Sequence, residues 1–172
     1  MNILILGNII ALFAASLSVI MGLTKKREKI IYIQTIQFFT YTISNLILGG
    51  FSGVIANAIG AIRNILSYKE KLTKKVRLII IIISIILTLS FNNLGFIGLL
   101  PLINTIIYTT FINEKNPFKF KILYMITVIL WLLYDFSIKA YTSVLFEIIT
   151  IMSCIITAYQ IYLNKNKEKQ QN

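Results

Sequence analysis

The sequence predicts an all-α polytopic membrane protein: seven transmembrane helices, built as two parallel three-helix repeats joined by a single linker helix. Three observations predict it. The chain is 57% hydrophobic over 172 residues, with a mean hydropathy of +0.80. A soluble domain of that size could not cover so much apolar surface. Apolar segments suited to a hydrocarbon layer of about 30 Å alternate with short breaks, and basic residues gather at every second break. Residues 33–68 also match residues 123–158 at a constant offset of 90, without a gap. In lipid every backbone polar group must be bonded internally, which leaves helices or closed barrels. The apolar runs are too continuous for the alternating pattern of barrel strands.

The first helix is expected over residues 3–23, which carry no charge. Its basic cluster follows the apolar stretch instead of preceding it, so it reads as a retained span and not as a leader. Gly7, Ala11, Ala14, Ala15, Ser18 and Gly22 form a small-residue stripe of the kind that lets helix backbones approach closely in membranes. The second helix is expected over residues 30–48, ending at Gly49-Gly50, and the third over residues 51–68. The fourth, residues 76–91, is nearly all Ile, Leu and Val, and reads as a lipid-exposed connector. Asn92-Asn93 ends it. The fifth is expected over residues 94–112, the sixth over 120–136 and the seventh over 140–163. The domains are then residues 1–69, a linker at 70–93, residues 94–164, and a polar basic tail at 165–172.

All of the 17 Lys and Arg residues except Lys139 and Arg63 fall after helices one, three and five or in the tail. Seven spans put those places on one side. The basic side faces the cytoplasm, so the amino terminus is expected outside and the carboxyl terminus inside. The net charge of +11 is thus a topology signal and no sign of nucleic acid. The lipid bilayer is the expected environment, with a small-molecule solute and a second copy of the chain as candidate partners. There is no histidine and one cysteine, Cys154, which reads as a small packing residue. No metal site, no cofactor and no enzymatic nucleophile relay is expected.

The two matched stretches carry the candidate site. At the offset of 90, Tyr41 falls on Trp131, Asn45 on Asp135 and Asn57 on Glu147. Helical spacing puts Gln34, Gln37, Tyr41, Ser44 and Asn45 on one face of helix two, and Asn57 and Asn64 on one face of helix three. Tyr124, Thr127, Trp131, Tyr134 and Asp135 align on helix six, and Ser143, Glu147, Thr150 and Cys154 on helix seven. These faces suggest one shared cavity, with aromatic rings for a planar or hydroxyl-bearing solute and amides for its polar edge. The candidate substrate-binding residues are Glu147, Asn57, Asn45, Asp135, Tyr41, Trp131 and Asn64.

Each has a plainer reading. Amides also join membrane helices, at roughly 0.6 kcal/mol per bond. Glu147 lies about two turns, roughly 9–10 Å, inside its helix. Intramembrane acids are functional candidates by default, although a protonated structural bond is the alternative. Asp135 lies near the outer end of its helix, where a wet interfacial carboxylate offset by Lys139 is the competing reading. Gln34 reads as interfacial. Arg63 reads as snorkelling to the cytoplasmic surface, or else as an internal anchor.

The segments GVIANAIGAIRNILSYK (residues 53–69), LLPLINT (99–105) and WLLYDF (131–136) resemble the YgjV family of bacterial inner membrane proteins. That resemblance covers most of the chain and implies a multi-pass protein of the bacterial inner membrane. The 3+1+3 arrangement is similar to that of SWEET-type sugar transporters, vitamin-precursor transporters of the PnuC kind and other PQ-loop proteins. The chain has no intact Pro-Gln motif, and Pro101 has Ala11 at its matching position. This second resemblance implies a solute site between the repeats near the bilayer midplane. The expected function is a small-solute transporter or facilitator for a neutral polar metabolite such as a sugar, nucleoside or vitamin precursor. The alternative is a non-transporting scaffold, assembly partner or sensor.

Overall fold

The computed structural model describes the backbone of residues 2–171 and the side chains of residues 2–164. The side chains of the polar tail expected at 165–172 lie outside the described residues. Among the described residues the fold is all-helical, with seven α-helices and no strand. They are α1 (Ile3–Leu23), α2 (Arg27–Leu48), α3 (Phe51–Tyr68), α4 (Lys74–Phe91), α5 (Leu100–Phe111), α6 (Pro117–Ser137) and α7 (Tyr141–Gln171). By length and composition, α1, α6 and the Tyr141–Asn164 part of α7 suffice to cross a membrane.

Local chemistry sets the ends. The Asn2, Thr73 and Asn116 side chains accept first-turn amides of α1, α4 and α6, at 3.0 Å for Leu4 N, 3.3 Å for Val76 N and 3.0 Å for Phe118 N. Pro117 follows the last of these caps, where its missing N–H costs nothing. Gly49 closes α2 in the left-handed region, at φ 76°. The start of α7 is capped from another helix: Asn8 of α1 accepts from Thr142 N at 3.0 Å and donates to the Lys139 carbonyl at 3.1 Å.

The fifth helix starts later than the hydropathy suggests. Asn92 Oδ1 accepts from Leu94 N at 3.0 Å, and its Nδ2 donates to the Gly95 carbonyl at 2.7 Å. Asn93 Nδ2 ties this loop to the Gly49 carbonyl at 2.9 Å. A 3-10 turn, Ile97–Leu99, leads into α5, whose first turn contains Pro101. Proline is tolerated there and would break a helix begun at residue 94.

The helices pack in a ring: α1 against α2, α2 against α3, α3 against α5, α5 against α6, α6 against α7, and α7 back against α1. α4 lies outside it, against α3 and α5, and buries only Ile80, Ser84 and Thr88. The small-residue stripe of α1 is buried throughout. A Cβ at Gly7 would meet the Leu48 side chain at 2.6 Å, and one at Gly22 would meet Ser153 Cβ at 2.9 Å. The stripe thus lets α1 sit tightly between α2 and α7. Large apolar side chains, among them Phe13, Phe39, Ile86, Leu133 and Met152, cover the outside.

Candidate functional site

The polar faces of α2, α3, α6 and α7 converge inside the ring. Tyr41, Asn45, Asn57, Trp131, Asp135 and Glu147 line one cavity, joined by Ser18 of α1 and by Gln34 and Gln37 of α2. Six of the seven candidate residues read from the sequence therefore meet. The space among them is about 30 Å³. A water needs on the order of 10–15 Å³, so this closed form admits a water or two and no metabolite.

Asp135 and Glu147 are 2% and 4% exposed. Both line the same cavity, and Ser143 lies one turn before Glu147 on α7. The ion pair found among the described residues is Arg27–Glu28 at 3.5 Å, far along the sequence from these acids. Two unit charges about 4 Å apart repel by about 4 kcal/mol at an effective dielectric near 20, so two ionised carboxylates on one such cavity wall are costly.

Several buried atoms here have no hydrogen-bond partner: Tyr41 Oη, both amide atoms of Asn57, Asp135 Oδ1, Ser143 Oγ and Glu147 Oε2. Buried polar groups are normally paired. All of these residues but Ser143 line the cavity. Asp135 is thus not the wet interfacial carboxylate that its position near the helix end suggests. Lys139 does not offset it: that side chain is exposed, on a residue with φ 60° in the α6–α7 turn. Position along a helix fixes depth, but the direction in which Asp135 faces is set by its packing with Tyr134 against α3. There the Gly53 amide donates to Tyr134 Oη at 2.8 Å.

Asn64, Gln34 and Arg63 form a separate network. Arg63 is 1% exposed and does not snorkel. Its Nε and Nη2 donate to Asn64 Oδ1 at 3.2 and 3.0 Å. Asn64 Nδ2 donates to Gln34 Oε1 at 3.0 Å. The guanidinium lies 4.4 Å from the Tyr108 ring centre and 5.7 Å from that of Phe38. Two aromatic faces and an amide thus take the place of water around the charge. Asn64 is occupied with Arg63 and does not line the cavity. Gln34 is buried, not interfacial, and touches both the cavity and this network.

Sequence reasoning missed Lys121, which it counted as a topology charge. It is 1% exposed. Its ammonium donates to the carbonyls of Met21, Gly22 and Thr24 at 3.0, 2.9 and 2.7 Å. It therefore caps the carboxyl end of α1, where a cation also suits the helix dipole. A signal was present: Lys121 lies three residues before Tyr124, on the same polar face of α6.

A family model described as bacterial inner membrane protein, Imp-YgjV, matches residues 5–165. The chain belongs to this family. No curated protein and no solved structure matches it. Membership of the Imp-YgjV family gives the outer apolar side chains their solvent, the inner membrane. In such a solvent ionisable side chains are costly and face the bundle interior. In this Imp-YgjV chain both Asn57 and Glu147 face inward.

Proposed function

We propose that the chain is a transporter or facilitator for a small polar solute, built as two parallel three-helix repeats around the cavity at Asp135 and Glu147. The observation that carries this reading is the enclosed cavity whose unpartnered polar groups come from both halves of the chain. Helices α1–α3 form one repeat and α5–α7 the other. α4 returns the chain so that both repeats run the same way. All seven helices span the membrane, with the amino terminus outside and the carboxyl terminus in the cytoplasm.

Contacts related by the 90-residue offset support the repeat. Tyr124 Oη donates to the Ser18 carbonyl at 3.4 Å, and the matching pair, Gln34 and Tyr108, also lie side by side. Lys121 at the start of α6 caps the end of α1. Arg27 at the start of α2, four positions before Ile31, which the offset pairs with Lys121, caps the end of α5, donating from Nε to the Ile112 carbonyl at 2.5 Å. Each second helix thus reaches across to the first helix of the other repeat. The carboxyl ends of α1 and α5, with their basic caps, belong to one side, which agrees with a cytoplasmic face.

Rocking of the two repeats would widen the 30 Å³ space toward one side and then the other. Glu147 is the residue assigned to solute or proton contact, and the reading involves no enzymatic step. The test is uptake into proteoliposomes of a panel of sugars, nucleosides and vitamin precursors. The expected outcome is flux of at least one class, abolished by Glu147→Gln. The closed cavity favours a second reading, a non-transporting scaffold or sensor. Absence of flux across the panel, together with co-purification of one stoichiometric partner, would select it.

A further inference from the structure

We propose that the space bounded by Tyr41, Asn57, Asp135 and Glu147 is a binding site for a dehydrated alkali cation, sodium or potassium. This rests on the same cavity as the transport reading but not on flux. The unpartnered atoms on its lining residues are mostly oxygens: Tyr41 Oη, Asn57 Oδ1, Asp135 Oδ1 and Glu147 Oε2. Hard cations take oxygen ligands of this kind, from carboxylates, amides and hydroxyls. The 30 Å³ of space suits a bare ion the size of a water. An organic amine does not fit the closed form.

Charge points the same way. Two carboxyls line one cavity without an ion-paired partner among the described residues. The buried cations are committed elsewhere, Arg63 to Asn64 and the Tyr108 ring, and Lys121 to three carbonyls. A monovalent ion that enters takes the place of a carboxyl proton, and that proton leaves to water. One positive charge replaces another, so the net buried charge is unchanged. A calcium ion takes six to eight oxygens and magnesium usually keeps several waters, more than this space supplies. The titratable groups facing the pair are Tyr41 from α2 and Tyr124 from α6. α1 contributes Ser18 and α3 contributes Asn57, both uncharged.

The test uses the purified full chain in detergent. Its thermal midpoint is compared in sodium, potassium, calcium and choline chlorides at matched ionic strength, at pH 6 and pH 8. At about 100 times the dissociation constant, sodium or potassium raises the midpoint by roughly 5–10 °C over choline. The effect is larger at pH 8, because protons compete, and it disappears in Asp135→Asn and Glu147→Gln. Should those variants fail to fold, radiolabelled sodium or rubidium binding to the wild type, displaced by acid, carries the same information. Equal midpoints in sodium, potassium and choline would overturn the site, as would stabilisation by calcium alone. Ion binding without solute flux keeps this inference and removes the transport reading. Flux of a solute from choline buffer, with no ion effect on stability, does the reverse.

Discussion

Replacing Lys121 by methionine tests how the second half of the chain is held to the first. The ammonium donates to three carbonyls at the end of α1, those of Met21, Gly22 and Thr24. Methionine keeps the length and the apolar stem and removes the donors. The Met21 and Gly22 bonds are buried, whereas the Thr24 bond is only part-buried, so water can replace it. Leaving a buried acceptor unpaired costs about 1–3 kcal/mol. The Met21 carbonyl keeps a partner, because it also accepts from Thr24 N at 3.1 Å, so the Gly22 carbonyl is the one left unpaired and the loss is about 2 kcal/mol. For a chain of this length that lowers the midpoint by roughly 4–8 °C. Trp131, the single tryptophan, lies on the same helix as Lys121 and reports unfolding by its fluorescence. Lys121→Arg should recover only part of the loss, because a planar guanidinium cannot aim three donors as an ammonium does. A Lys121→Met midpoint within about 1 °C of the wild type, below the smallest shift this reasoning allows, would refute the cap and return Lys121 to the role of a topology charge.

Arg63→Met should lower stability by about 2 kcal/mol through lost stacking on Tyr108 and a stranded Asn64 carbonyl. Arg63→Lys should recover little, because the ammonium lacks the planar stacking face; chemical denaturation in detergent measures both. For topology, a green fluorescent protein fused after residue 172 should fluoresce in intact bacteria, and alkaline phosphatase fused in the α6–α7 turn at Lys139 should be active. The opposite pair of signals would reverse the orientation read from the basic breaks.

Much of this architecture is legible in residue order. The bounds of α1 and α3 coincide with the apolar runs, and every member of the α1 small-residue stripe is buried. Asn45, Asn57, Asp135 and Glu147 come to one cavity because the polar faces that helical spacing marks on α2, α3, α6 and α7 turn inward. Long cationic side chains were not legible. Lys121 and Arg63 have several rotatable bonds, and a count of charges per loop does not reveal that a neighbouring helix end or aromatic ring is within their reach. The start of α5 escaped because the Asn92 side chain, and no change in hydropathy, organises the loop before it. The size of the cavity was also hidden. It depends on how closely the Gly53 and Gly60 surfaces meet Tyr134 and Phe38, where an added Cβ would approach to 2.8 and 2.6 Å.

Solvent access to the Asp135–Glu147 cavity is the most direct measure of whether it is a working site. Asn57→Cys in a Cys154→Ser background places one thiol on its wall, and Met152→Cys places one on the outer apolar surface. Membrane-impermeant maleimide should modify the Asn57→Cys protein in both right-side-out and inverted vesicles, while Met152→Cys stays unreactive. Failure of Asn57→Cys to react from either side, with a Lys139→Cys control in the exposed α6–α7 turn fully labelled, would mean that the space never opens and that the polar cluster only holds helices together.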